Sequence, residues 1–439
     1  MLRISDNSSK HLSNEESEHL PNLEKIAQLK INNKEDANHN LLIFSNGKEI
    51  IRNEHIFSIH ETTISTNNIM GFVGLNESEV TIKSRFSNGE KDYFLHYMLQ
   101  KVFSINLFDL KHSTANANTF DFLIYLFPFY LKKAVRQGLY KEYKRKEYNN
   151  SNIKGAVNIA RHIKKNIPFK GEVAYSSREH SCDNKITQLI RHTIEFIKKH
   201  SFAHNILLSD PETQRNVIEI IQATPSFEHN YKISVLNSNL RPLTHPYFYE
   251  YTDLQRICLQ ILRYEGLKYG QEKDKIYGLL FDGAWLWEEY TNTILKDCGF
   301  KHPRNDISKG GIHLFNNRKS YIRYPDFWKD GFIIDAKYKR LEHKEIDRND
   351  MNQIISYMYV KQAKIGGFLY PTSNNKSPIL EKEIGYLNGY NGVVKKWSIP
   401  IPTELSNFNT FCKSIQENEK KIREILTEND KALSDNNGS

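Results

Sequence analysis

The stretch that most constrains this chain is SYIRYPDFWKDGFIIDAKYKR, residues 320–340. Within it, Asp330-Gly331 allows the positive φ angles of a tight turn, so the flanking segments read as two antiparallel strands. Aspartate is disfavoured in strands, yet Asp326 and Asp335 each fall in one. Side chains alternate across a strand. Phe332, Ile334, Ala336 and Tyr338 then suit a core, and Ile333, Asp335, Lys337 and Lys339 share the opposite face. That places Asp335 and Lys337 roughly 6 to 7 Å apart along the strand. The hairpin brings Asp326 back towards them.

The elements around this hairpin follow a legible order. A helix, FDGAWLWEEYTNTILKDCGF, precedes strand-like pieces at GIHLFNN and KSYIRYPDFW. After the hairpin come the helix DMNQIISYMYVKQ and the strand IGGFLYP. This α-β-β-β-α-β pattern predicts an α/β domain over 275–403 with a central mixed sheet. Residues 404–439 read as an amphipathic helix with a frayed end.

At 439 residues the chain exceeds what one core usually organises. We expect an α+β or α/β multidomain protein. Residues 1–38 are polar and read as a disordered extension. Residues 39–270 read as a β-rich and helical region suited to docking a partner. Its β part includes a hairpin, IMGFVGLNESEVTIKSRF, where Val80 and Ile82 alternate with polar residues. The longest apolar run, FLIYLFPFYL at 122–131, is too short to span a bilayer and contains Pro128, so it reads as a buried helix. No signal peptide is evident at the N-terminus. The four cysteines form no C-x-x-C pair and the histidines show no zinc-ligand spacing. These features suit a cytoplasmic protein with no membrane partner.

The net charge of +9 suggests an anionic partner. Residues 131–170 hold twelve Lys or Arg against Glu142 and Glu147, interleaved with Tyr140, Tyr143 and Tyr148. Lys144, Arg145 and Lys146 are the candidates for contact with nucleic acid. An acidic protein partner, or a solvated helix end and loop, are the alternatives.

Two carboxylates beside a lysine suit phosphodiester hydrolysis with Mg²⁺, or with Mn²⁺ in its place. Such an ion takes oxygen ligands and keeps several waters. It binds the phosphate and lowers the pKa of an attacking water. Lys337 would orient that water or stabilise developing negative charge.

The pattern P-D-x(8)-D-A-K, with Pro325, Asp326, Asp335, Ala336 and Lys337, resembles the PD-(D/E)xK nuclease superfamily. QIISY places Gln353 and Tyr357 one helical turn apart, like the Q-x-x-x-Y element of one nuclease branch. LWEEY places Glu288 on the preceding helix, where such folds carry a further acid, with Glu289 the alternative. GFVGLNESEVTIKSRF, YFLHYMLQKVF and the DNKITQLI segment are similar to the McrC family. That resemblance runs over roughly residues 40–400. It implies a restriction endonuclease subunit with Asp326, Asp335, Lys337, Glu288 and Gln353 in the catalytic site. Asp326, Asp335, Glu288 and the Ala336 backbone carbonyl would hold the metal. It also implies an AAA+ GTPase ring as partner, whose hydrolysis the chain stimulates, and modified DNA as substrate. This chain has no G-x-x-x-x-G-K-[ST] loop, so nucleotide chemistry would come from the partner. A non-cleaving activator of a ring NTPase and a nuclease acting alone on RNA or repair intermediates are the competing readings.

Overall fold

The computed structural model describes residues 2–29, 40–45, 55–87, 92–103, 118–199, 204–208, 210–268, 276–304, 309–318, 320–342, 344–373, 379–403 and 407–436. Strands and helices are mixed throughout, an α+β architecture. The chain divides into two compact units, Met1–Leu107 with Lys273–Ser439, and Phe108–Glu272.

The first unit departs from a linear division at residue 270. The strand Ile276–Asp282 pairs antiparallel with Ile69–Leu75 and parallel with Asn40–Phe44. The N-terminal strands therefore share one sheet with the start of the C-terminal segment. Residues 2–29 are also folded, contrary to a disordered extension. Leu2–Ser5 pairs parallel with Ser78–Lys83, burying Leu2 and Ile4. The helix Leu20–Ala27 buries Leu23 and Ile26 in the same apolar cluster. These apolar residues are sparse in sequence, but each lands on a buried face, which compensates the ordering entropy of the segment. The rest of the proposed extension, residues 30–38, lies outside the described residues.

A second five-stranded sheet in this unit carries the hairpin. Its order is Phe327–Lys329, Phe332–Ala336, Ile365–Thr372, Val393–Pro400 and Glu381–Tyr386. The two outer pairings are antiparallel and the two inner ones parallel, so the sheet is mixed. The turn is closed by Gly331 at φ 76°, a value that favours glycine. All five residues of Phe332–Ala336 are buried, so the expected polar face is not solvated. Ile333 packs with Ile354, Met358, Phe368 and Val394, which brings the helix Arg348–Lys361 onto that face. This helix lies close because Gly366 has no side chain; a Cβ there would collide with the Met358 thioether. On the other face Phe332 packs against Phe300 and Trp397.

Three helices of this unit meet at Glu419, which is 1% exposed. It lies on Phe408–Asn436 and accepts hydrogen bonds from Tyr97 and Tyr290, each at 2.8 Å. Lys101 adds an ion pair at 3.1 Å. Tyr97 lies on Tyr93–Phe103 and Tyr290 on Gly283–Leu295.

The second unit combines helices with a three-stranded antiparallel sheet. Its longest helices are Asn118–Val135, Lys185–Lys199, Pro211–Ala223 and Glu250–Lys268. Asn184 caps Lys185–Lys199 by accepting from the Ile186 and Thr187 amides. Pro128 lies inside Asn118–Val135. Among the described residues no helix is long and apolar enough to cross a membrane. The sheet order is Glu142–Asn150, Val173–Ser181, Ala156–Val157. The core of the basic segment is thus a strand rather than a helix end and loop. Lys144, Arg145 and Lys146 stand exposed on it, with Lys146 3.4 Å from Glu179.

Ile26 is fully buried and tests whether the N-terminal segment belongs to the core. Ile26→Ala should cost about 2–4 kcal/mol in denaturant unfolding. A residue in an unstructured tail would change stability by less than about 0.5 kcal/mol.

Candidate active site

The helix Gly283–Leu295 starts where Asp282 accepts hydrogen bonds from the amides of Ala284 and Trp285, at 2.8 and 3.2 Å. Its apolar stripe buries Leu286, Trp287, Tyr290 and Ile294, which turns Glu288 and Glu289 to another face. Trp287 Nε1 donates to the Leu369 carbonyl at 3.2 Å. The same carbonyl accepts from the Lys337 amide at 2.9 Å. One acceptor on the central sheet therefore fixes both the helix bearing Glu288 and the strand end bearing Lys337.

At that strand end Asp326 and Asp335 converge. Asp326 Oδ2 accepts from the Ala336 amide at 2.7 Å, which locks its carboxylate against the neighbouring strand. Asp335 is 1% exposed. Its Oδ2 lies 2.7 Å from Lys337 Nζ in an ion pair. Burial and then the charges of Asp335 and Glu288 push the Asp326 carboxyl well above the usual carboxylate range. Burial also pushes Asp335 upward, against the pull of Lys337. Burial works against the charge on Lys337, but Asp335 and Asp326 outweigh it and hold the ammonium charged.

Asp326, Asp335 and Lys337 are together, and Glu288 is close enough to act on the Asp326 charge. Glu289 faces the same side through His302, 3.9 Å from its Nε2. Ala336 lies between Asp335 and Lys337 at the end of the strand. Gln353 donates from Nε2 to the Tyr357 hydroxyl at 2.9 Å. Tyr357 feels the carboxylates: burial first, then Asp335 and Asp326, push its hydroxyl up to about 12. Lys144, Arg145 and Lys146 belong to the second unit. Among the described residues, no three His, Cys, Asp or Glu side chains converge to form a ligand cage.

Two contributors were not evident in the sequence. His302 Nδ1 donates to the Asp326 backbone carbonyl at 2.8 Å, and its ring stacks on Phe327. It also lies 3.8 Å from Glu288 and 3.9 Å from Glu289. Asp350 lies 3.1 Å from Lys337 Nζ and 2.8 Å from Lys339 Nζ. Lys337 is therefore held between two carboxylates. Asp350 had one signal, an acid in the first turn of the helix after the D-x-K strand. His302 had none.

Residues 64–371, well over half of the chain, match the family model described as McrBC 5-methylcytosine restriction system component. The chain belongs to this McrBC family. The fold agrees. A chain in the half-complex from a tetradecameric assembly of Thermococcus gammatolerans McrB AAA+ hexamers with bound McrC is similar, with a TM-score of 0.53 at 12% identity. The match covers 98% of this chain and 99% of that one. A second match, in the T. gammatolerans McrBC complex, has a TM-score of 0.35 at 13% identity and covers 67% of this chain and 87% of that one. No curated protein matches the chain.

The carboxylate cluster of this McrBC protein carries a stability cost. Because the folded pKa of Asp326 lies above its unfolded value, its contribution is most favourable in acid and is lost as pH rises through the carboxylate range. At neutral pH without divalent ions, Asp326→Asn should therefore stabilise the fold by about 1–3 kcal/mol. Urea unfolding of both proteins measures this. A loss of similar size would show that the ionised carboxylate is well compensated in the fold.

Proposed function

We propose that this chain is the DNA endonuclease subunit of an McrBC-type restriction system and that Asp326, Asp335 and Lys337 form its hydrolytic centre. The observation that carries this reading is the convergence of two desolvated carboxylates with a lysine ammonium 2.7 Å from one of them. A surface ion pair on an amphipathic strand would not bury its carboxylate to 1% exposure, as Asp335 is buried here. The order of P-D and D-A-K on a hairpin, and the mixed sheet that carries them, fit the PD-(D/E)xK nuclease pattern. Membership of a restriction-system family favours DNA as the substrate.

The residues suit a hard divalent ion, Mg²⁺ or Mn²⁺. The absence of a three-ligand cage among the described residues is compatible with this, because Mg²⁺ takes one or two carboxylates and keeps its waters. Asp326 and Asp335 would hold it, with Glu288 and the Ala336 carbonyl completing the set. When bound, such an ion polarises the phosphate and activates water. It would also offset the burial and the neighbouring negative charge that push both carboxyl groups upward.

The protein groups then divide the work. Lys337, fixed between Asp335 and Asp350, presents a positive charge to a phosphate oxygen as negative charge develops there. The Ala336 amide keeps the Asp326 carboxylate aimed. Gln353 acts with Tyr357 at the edge of the centre, the amide orienting the hydroxyl.

For the chain to act within a restriction system, a ring NTPase is the natural partner. The similar assembly contains McrB AAA+ hexamers with bound McrC. We infer the same kind of AAA+ GTPase partner here. Lys144, Arg145 and Lys146 form the contact to DNA or to that ring.

Two experiments test this reading. In the complex reconstituted with its ring partner, Asp335→Asn should abolish cleavage of modified DNA with Mg²⁺ while GTP hydrolysis stays stimulated. Near wild-type cleavage would place the chemistry elsewhere. Replacing Lys144, Arg145 and Lys146 with Ser should make the salt dependence of DNA binding shallower, by about one unit per lost phosphate contact. An unchanged slope with lost GTPase stimulation would assign the strand to the ring.

A further inference from the structure

The segment leading into the active site is unusually basic and aromatic. Residues 301–325 contain six Lys or Arg and one acid, Asp306. Within them Ile312–His313 pairs antiparallel with Ile322–Arg323 to form a short hairpin. The Leu314 amide extends it by donating to the Tyr321 carbonyl at 3.3 Å. Its base is anchored, because Ile312 is buried in the cluster that contains Ile333 and Tyr357. Its tip is not: Phe315 is 49% and Tyr321 52% exposed. Their rings pack edge to face with centroids 5.6 Å apart. His313, Arg318 and Arg323 are exposed around them.

Two features of this tip suit a contact. An exposed aromatic pair contributes little to stability and offers ring faces and edges to a partner. Tyr321 also has φ 67°. A bulky residue in the left-handed region is strained, and such strain gathers at functional sites. The hairpin presents an aromatic ring here at a position better suited to Asn or Gly.

We propose that this hairpin grips the DNA substrate next to the scissile phosphate, with Phe315 and Tyr321 against base or sugar faces and Arg318 and Arg323 on phosphates. The proposal rests on the endonuclease reading above. Position supports DNA over a protein partner. Arg323 lies three residues before Asp326, so an extended chain separates them by about 10 Å at most. That is about three base-pair steps at 3.4 Å each. A duplex whose phosphate reaches Asp326 therefore lies within reach of Arg323 at the foot of this hairpin. The chemistry agrees as well: guanidinium groups pair with phosphate, and aromatic faces stack on bases regardless of sequence.

The test uses the complex with its ring partner and three variants: Phe315→Ala with Tyr321→Asn, Arg318→Ser with Arg323→Ser, and Arg323→Ser alone. Asn tolerates the φ of Tyr321, and all four side chains are exposed, so thermal midpoints should hold. The single Arg323→Ser variant serves if a double variant unfolds. The aromatic variant should bind duplex DNA about tenfold to a hundredfold more weakly and cleave correspondingly slower at limiting DNA. A 2-aminopurine base near the cleavage position should lose its fluorescence change on binding. The double arginine variant should lower the salt slope of binding by about two. If wild type cleaves and the variants bind and cleave equally well, the hairpin proposal falls while the nuclease reading stands. Weakened ring association with unchanged DNA binding would also overturn it, in favour of a protein contact. If wild type cleaves no DNA under any nucleotide, the nuclease reading fails and the hairpin proposal fails with it.

Discussion

Desolvation of the Asp326–Asp335 pair, with Asp335 buried and Asp326 partly so, is the constraint on which the rest of this structure depends. Carboxylates drawn out of water favour protonation or a nearby positive charge. Lys337 is the positive charge the chain itself supplies, held 2.7 Å from Asp335. A single ammonium does not offset burial together with the Asp335 charge, which push Asp326 upward. Asp350 and Glu288 add further negative charge around it. The arrangement is thermodynamically unfavourable by itself and suits a site that concentrates positive charge for chemistry on a phosphate.

Holding such a site requires a stiff scaffold. The mixed sheet is covered on both faces, by Arg348–Lys361 on one and by Phe300 and Trp397 around Phe332 on the other. The Leu369 carbonyl joins Trp287 and Lys337. Glu419 fastens the Glu288 helix, through Tyr290, to two other helices. These are buried, satisfied polar contacts, which rigidify a core when every member is paired. His302 completes the frame by holding the Asp326 backbone from the side opposite the strand pairing.

The parts of this site legible in the sequence are local ones. Asp330-Gly331 and the alternation after it identify a hairpin, and with it the meeting of Asp326, Asp335 and Lys337. Long-range features were not legible. Alternation over Phe332–Ala336 suggests one core face, but the helix that buries Ile333 starts at residue 348. Polarity of residues 1–29 suggests disorder, but Leu2 and Ile4 find their partner strand at Ser78–Lys83. The strand Ile276–Asp282 joins strands more than 200 positions earlier, which no window of sequence reveals. His302 reaches Asp326 across 24 residues for the same reason.

The central claim is that Asp326 and Asp335 form a divalent-cation site in a hydrolytic centre. Electron paramagnetic resonance with Mn²⁺ as the probe measures it most directly, because free and bound Mn²⁺ give distinct signals without any need for turnover. The account predicts Mn²⁺ binding by the wild-type chain near neutral pH, displaced by Mg²⁺ and weakened at least tenfold in Asp335→Asn. Equal Mn²⁺ affinity in the two proteins, both folded, would contradict it.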